Sequence, residues 1–565
     1  MSSSSPPSAS ASAPIKRELP AGTPDQRLGW GSDVAAEMLR QLDIPYIALN
    51  PGASYRGLHD SLVNYLGNET PQMLMCLHEE YAVSIAHGYA KATGKAMAVA
   101  LHSNVGLMHG TMAIFNAFAD RAPMLVHAKV PLLGHHTSGV RSEWYRDDLA
   151  EDQKEDPLIF LVEQALAKGI KQSKIDRLKQ EAKVAVAEAF EKAKNADAPA
   201  LDTVENYVLA PTPITTETGE RSPEGAEKII MVDAALHAID EILANHPEAL
   251  LYGQDVGHRL GGVFREAATL AQKHGKNRVF NTPIQEAYII GSTAGMSAVG
   301  CKPIVEVQFA DYIWPGVNQL VTELSKSSYL SGGKFPIQSV IRVPTGAYGG
   351  GGPYHSGTNE SSILPIKGIK IVYPSNAADM KGLMKAAFYD PNPVVMFEHK
   401  GIYWSKVAGT EGAKSLEPSR DYMIPLGQAR THLEATDEAL DNGESLTIIT
   451  YGMGVWWADN AAKQFPGKLE IVDLRTLSPC DDEAIYASVK KHGKVIVLTE
   501  ETLNNSFAQA LAGRIQENCF QYLDAPVKCI GSLNLPAVPL NVDLEKEMLP
   551  NANKVAHAVQ ELLDY

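Results

Sequence analysis

Three short apolar runs near the C-terminal end, "LTIITYGMGV", "LEIVDLRTLSP" and "KVIVLTEE", constrain the fold more than any other feature of the chain. Each opens on a stretch too short for a helix and too continuously apolar for a strand with one wet face. Such stretches are buried on both sides, as in the parallel sheets of α/β proteins. The same rhythm recurs upstream. "IPYIALNPGASYRGLHDSL" reads as strand, glycine turn and helix, and "LMCLHEEYAVSIAHGYAKATGKAMAVALHS" as strand, acidic turn, Ala-rich helix and strand. "KPIVEVQFADYIWPGVNQL" and "GIKIVYPSNAADMKGLMKAAFYDPNPVVMFEH" repeat it. The fold class is α/β, built from parallel sheets with helices on both faces.

At 565 residues the chain exceeds a single core. Changes of texture divide it into a Ser/Ala/Pro-rich tail (1–28), an α/β segment (29–130), a polar stretch with a long helix and linker (131–227), a second α/β segment (228–410) and a third (411–565). The long helix carries Ile175, Leu178, Ala182, Ala185 and Ala189 on one face. A net charge of −16 excludes a nucleic-acid binder and an anionic-membrane surface protein. No apolar run reaches bilayer length, and the tail lacks the apolar core of a secretory signal. Five cysteines without CxxC spacing give no zinc site and no disulfide framework. A reducing compartment is expected, the cytoplasm or, in a eukaryote, the mitochondrial matrix.

One charge stands out. In "TPIQEAYIIGSTAGMSAVG" (282–300), Glu286 is the only ionisable acid or base with a full charge, at the mouth of a helix of small and apolar residues. Desolvation penalises a carboxylate there unless it has a partner. It is either an acid soothed by the helix dipole or a general acid/base kept in a dry pocket. Further on, glycines 349–352 precede His355, and such a run lets backbone crowd against a ligand.

"YGQDVGHRLGGVF", the stretch from Thr282 to Leu320, "GGGGPYHSGTNES", "YPSNAADMKGLMKAAFYDPNPVVMFEHK" and "VDLRTLSPCD", in this order over 228–565, resemble the β subunit of 2-oxo acid dehydrogenase E1 components of the branched-chain and pyruvate type. The resemblance implies a transketolase-like pyrimidine-binding domain for thiamine diphosphate, followed by a transketolase C-terminal-like domain. It implies that Glu286 hydrogen-bonds N1′ of the cofactor's aminopyrimidine, favouring the imino form that removes the thiazolium C2 proton. Tyr312 matches the aromatic that stacks on this ring, and His355 a histidine at the active-site entrance. One position departs: Gly357 stands where the family often has Gln.

The segment 29–130 resembles the pyrimidine-binding domain of acetolactate synthase-like enzymes, and Glu79 falls on that family's own N1′ glutamate, although "SNVGL" replaces its "SGPGA"-like turn. "GHHTSG" and "YRDD" resemble the C-terminal tail of an E1 α subunit, where His136 matches a histidine near the cofactor diphosphate and Thr137 replaces a serine. Thiamine enzymes hold the diphosphate through a metal bound by a Gly-Asp-Gly motif, and this sequence contains none. The resemblance therefore implies an E1 α-type partner supplying the diphosphate and Mg²⁺ ligands, with no metal ligands from this chain. It further implies a 2-oxo acid substrate, a lipoyl-bearing E2 acyltransferase as acyl acceptor, and a homo- or hetero-oligomer. The alternatives are a non-oxidative thiamine enzyme of acetolactate synthase or transketolase type, and a non-catalytic subunit without the diphosphate half-site.

Overall fold

The apolar runs pair as parallel strands. The computed structural model describes residues 18–20, 28–51, 55–76, 78–119, 125–127, 150, 154, 156–282 and 284–565, in two units, Met1–Asp197 and Ala198–Tyr565. The first unit holds a four-stranded parallel sheet in the order Gln72–Met75, Tyr46–Leu49, Ala98–Ala100, Leu125–His127. Successive side chains leave a strand on opposite faces. Ile47 and Leu49 accordingly join one apolar layer with Ala36 and Leu62, and Ala48 and Val99 the other with Val83 and Ala86. The helix Glu79–Thr93 starts at His78, whose Nδ1 accepts the Glu80 N–H, and stops at Gly94, which adopts the left-handed conformation that favours glycine. Helix Gln172–Lys194 forms as expected, but only Ile175 of its apolar face is buried and Leu178 is 49% exposed. Four of its five apolar positions thus find no cover among the described residues of this chain.

The second unit carries two sheets. Seven strands run in the order Thr476–Ser478, Lys370–Val372, Pro393–His399, Ser339–Thr345, Lys302–Glu306, Ala249–Gly253, Val279–Asn281. All are parallel except Thr476–Ser478, which the C-terminal domain lends to this edge. Five strands form the other sheet, Arg430–Leu433, Leu469–Asp473, Leu446–Thr450, Val495–Thr502, Lys528–Ser532, with Arg430–Leu433 antiparallel. One apolar layer is continuous between the sheets, joining Val305, Ile341 and Val395 to Ile449, Val472 and Val497. The opposite faces pack on helices Met231–Asn245 and Ala377–Tyr389, and on Ala552–Leu563. Residues 198–227, a linker by composition, lie along this unit: Thr218 bridges Met423, and the Ala210 N–H donates to Asn392 Oδ1 at 2.7 Å. No described helix is long and apolar enough to cross a membrane.

Three neighbouring strands are clamped near their carboxyl ends by a fully buried arginine. Arg342 donates from Nε and Nη2 to the two oxygens of Glu398 at 2.8 and 2.7 Å, and from Nη1 to Glu306 at 3.0 Å. Burial, and then the adjoining Glu266 carboxylate, push Glu306 well above the usual carboxylate range, against the pull of Arg342. Replacing Arg342 by Met strands these acids in a dry core. Denaturant unfolding should show Arg342→Met destabilised by about 3–5 kcal/mol, and a loss under about 1 kcal/mol would show that the cluster does not hold the sheet.

Candidate functional site

Five adjacent parallel strands all end at one edge of the seven-stranded sheet, the edge where open α/β sheets place their ligands. Ala249–Gly253 runs into Gln254. Val279–Asn281 precedes the helix Glu286–Ala298, and Lys302–Glu306 precedes Phe309 and the turn Ala310–Tyr312. Ser339–Thr345 leads to the glycine loop and His355, and Pro393–His399 to Lys400. Residues from Gln254 to Lys400 are brought to this edge by topology.

Glu286 is the first residue of its helix and only 9% exposed. Its Oε1 accepts the Gln254 Nε2–H at 2.8 Å, and Oε2 has no hydrogen bond among the described residues. The smallness of the surrounding residues has a packing cause. Helix Trp314–Gln319 comes so close that a Cβ on Gly316 would lie 2.9 Å from the Glu286 carbonyl oxygen. The carboxylate is therefore a polar group in a tightly packed crossing, oriented by one amide.

Tyr312 and His355, which sequence places 43 residues apart, meet directly: the Tyr312 hydroxyl and His355 Nε2 are 2.8 Å apart. Phe309 stands edge-on to both rings, with centroids at 4.7 Å from His355 and 5.6 Å from Tyr312. Burial raises the Tyr312 phenol, and the Asp311 and Glu286 carboxylates add to the rise. His355 itself is exposed, at the mouth. The glycine loop enters with Gly349, Gly350 and Gly352 at positive φ, which only glycine adopts without strain.

The Gly357 departure also has a local cause. The Gly357 N–H donates to Asp311 Oδ2 at 2.9 Å, and a Cβ at 357 would overlap the same carboxylate. A glutamine fits there only if Asp311 moves.

Glu79 lies in the first unit, buried at the start of its own helix. Burial pushes its carboxyl up, but the helix N–H, the Asn50 amide, His109 and His78 outweigh this and hold it below the usual range. Among the described residues, His78, Glu79 and His109 are the one group whose ligand atoms lie close enough, within 4.8 Å, to consider a metal. His78 Nδ1 accepts the Glu80 N–H, which puts the neutral ring's proton on Nε2 and leaves that histidine no free lone pair. The group is an electrostatic clamp on Glu79. His136 lies outside the described residues.

Sequence reading passed over Gln254, Phe309 and Lys400. Gln254 carried a usable signal, a polar side chain directly after a buried parallel strand. Lys400 is 7% exposed, and its ammonium donates to the carbonyl oxygens of Gly346 and of His355, the latter at 2.5 Å.

Residues 227–405 match the transketolase pyrimidine-binding domain, 437–555 the transketolase C-terminal domain, and 29–138 the N-terminal TPP-binding domain of thiamine pyrophosphate enzymes. These matches, with the carboxylate and rings at the sheet edge, define a thiamine diphosphate-dependent enzyme. The 2-oxoisovalerate dehydrogenase subunit beta of Bacillus subtilis is 38% identical over 337 residues, covering 59% of this chain and 98% of that one. A mitochondrial 2-oxoisovalerate dehydrogenase subunit beta 2 of Arabidopsis thaliana is 35% identical over 352 residues, 62% of this chain and 93% of its own. The pyruvate dehydrogenase E1 component subunit beta of Acholeplasma laidlawii is 38% identical over 307 residues, 54% and 89%. The chain belongs to the β subunits of 2-oxo acid dehydrogenase E1 components, and its relatives are by name parts of larger enzymes.

The donor set is of the kind that the aminopyrimidine end of the cofactor needs, a buried carboxylate oriented on one oxygen and aromatic rings at the same sheet edge. Among the described residues no His, Cys, Asp or Glu group here is spaced to hold Mg²⁺.

Burial brings the Lys400 ammonium from its ordinary 10.5 down to about 8, against partial support from Glu500, Asp311 and Glu545. The folded chain thus releases this proton before the unfolded chain does. Between these two values the unfolded state binds more protons, so this group makes stability rise with pH. Denaturant unfolding of wild type and Lys400→Met should show the difference between them shifting toward the wild type from about pH 7.5 to about pH 9.5. A difference constant over that range would mean that Lys400 does not titrate there.

Proposed function

We propose that the second unit carries the coenzyme-activating half-site of an E1 component that oxidatively decarboxylates a 2-oxo acid and passes the acyl group to the lipoyl arm of an E2 acyltransferase. An E1 α-type subunit completes the site with the diphosphate and Mg²⁺ ligands. The observation that carries this reading is the buried Glu286, fixed on one oxygen by Gln254 at the same sheet edge as the Tyr312–His355 pair. Thiamine diphosphate, when bound, supplies the carbon nucleophile and the electron sink.

Each residue then has a definable task. Gln254 donates to Oε1 and leaves Oε2 as the atom that exchanges a proton with the coenzyme's ring nitrogen. Dry packing around the helix start keeps water from competing for that proton. Tyr312 and Phe309 wall the pocket. His355, oriented through Nε2 by the Tyr312 hydroxyl, presents an exposed imidazole to the incoming 2-oxo acid as a proton donor or acceptor. The oxidant in this chemistry is lipoamide.

The match at 29–138 favours a second reading for the first unit alone, a half-site of the non-oxidative thiamine enzymes around Glu79. Product analysis separates the two: a 2-oxo acid reduces ferricyanide or lipoamide in one case and yields acetoin or acetolactate in the other.

Glu286→Gln keeps the shape and removes the exchangeable proton. With an α-type partner, coenzyme, Mg²⁺ and ferricyanide as acceptor, turnover should fall about 10²–10⁴-fold while thermal unfolding stays unchanged. Turnover within about twofold of wild type would remove Glu286 from the chemistry and the reading with it.

A further inference from the structure

We propose that Lys400 is a positioning residue for His355: its side chain ties the two ends of the glycine-rich loop together and so sets where the imidazole stands against Tyr312. The inference rests on the reading of His355 as a site residue.

The loop from Gly346 to His355 has little means of ordering itself. Gly346, Gly349, Gly350 and Gly352 all sit at positive φ, and glycine loses more backbone freedom on ordering than any other residue. Its order is imposed from outside. The Ala347 N–H donates to Glu500 Oε1 at 2.6 Å and the Gly350 N–H to Glu545 Oε2 at 3.0 Å, both acids belonging to the C-terminal domain. The Gly346 N–H donates to the Gly357 carbonyl at 3.1 Å, closing the loop's neck. Lys400 completes the set, because among the described residues its side chain alone binds both the entry residue and the histidine, through the Gly346 and His355 carbonyls.

Lys400 is poorly explained as an ion-pair partner. Among the described residues no carboxylate lies within 4 Å of its Nζ, although Glu500, Asp311 and Glu545 act on it from further away. A nearly buried ammonium without a contacting counter-ion is costly. What it meets is two carbonyl oxygens and the Phe309 ring, whose centroid lies 5.5 Å from Nζ. Phe309 is the ring that stands edge-on to His355. Lys400 thus reaches His355 by two routes, its carbonyl and the aromatic that backs its imidazole. His399, the preceding residue, is held by Glu500 at 2.6 Å and closes the space beside Gly346, so the lysine's own base is fixed.

Hydrogen exchange on the full-length chain, without coenzyme, tests the tie directly. Amides between 347 and 357 should exchange about tenfold faster in Lys400→Met than in wild type, with strands Leu446–Thr450 and Leu469–Asp473 unchanged. Lys400→Gln, which keeps N–H donors without the charge, should fold where Met does not and give an intermediate rate. Unchanged loop exchange in a folded variant would overturn the proposal. A kinetic cycle in the complex with the α-type partner then asks whether the lysine acts through the histidine. Lys400→Met should lower kcat about tenfold in the wild-type background, with KM for coenzyme little changed, and should add nothing in a His355→Gln background. Full additivity would show that Lys400 acts elsewhere and would also overturn the proposal. If His355→Gln alone left turnover intact, the site reading would fall, while the exchange data would still judge the tie by themselves.

Discussion

The Arg342 clamp fixes what the site depends on, the relative height of three neighbouring strands at the edge where they release their loops. Parallel strands can slip, and a one-residue slip turns every side chain to the other face. A guanidinium holding Glu398 with two parallel bonds and Glu306 with a third tolerates no slip, because its geometry is fixed and its cost of desolvation is met only when all contacts form. Two residues past Glu398 comes Lys400, three past Glu306 comes Phe309, and four past Arg342 comes Gly346. Register set in the core becomes position in the site.

Rigidity passes outward through the C-terminal domain. Its strand Thr476–Ser478 extends the seven-stranded sheet, and one apolar layer runs through both sheets. Glu500, itself buried within strand Val495–Thr502, holds both Ala347 of the glycine loop and His399. A domain that could serve only for association therefore supplies part of the scaffold of the loop that carries His355.

Much of this was legible in the amino acids. The buried strands were visible as short, mainly apolar runs, and Glu286 as a lone charge among small residues, since both signals are local. The glycine run before His355 announced a loop pressed against something. Gln254, Phe309 and Lys400 were not legible, because their meaning lies in neighbours far along the chain: a lysine after a strand is ordinarily a solvated end. Gly357 was visible as a departure from the family pattern, but its cause, the Asp311 carboxylate in the space of a side chain, exists only in three dimensions. Periodicity found the helix Gln172–Lys194 and its apolar face but not what covers it, since an apolar face on a helix says that something can pack there and not that this chain does.

The two glutamates show how far local pattern reaches. Glu79 and Glu286 each open a helix behind a parallel strand, each is buried, and each matches an N1′ acid by resemblance. Their surroundings differ. Glu79 faces two imidazoles, an amide and its own helix N–H, and these hold it as the anion despite burial. Glu286 faces one amide, a phenol and packed aliphatic side chains, with a second oxygen left over. A carboxyl group that must exchange a proton with a ring nitrogen needs neighbours that do not fix its charge, and positively polarised neighbours on every side defeat that need. Glu286 is the acid that our proposal assigns to the chemistry, and what distinguishes its surroundings from those of Glu79 is the set of polar neighbours, which the helix-start pattern they share does not encode.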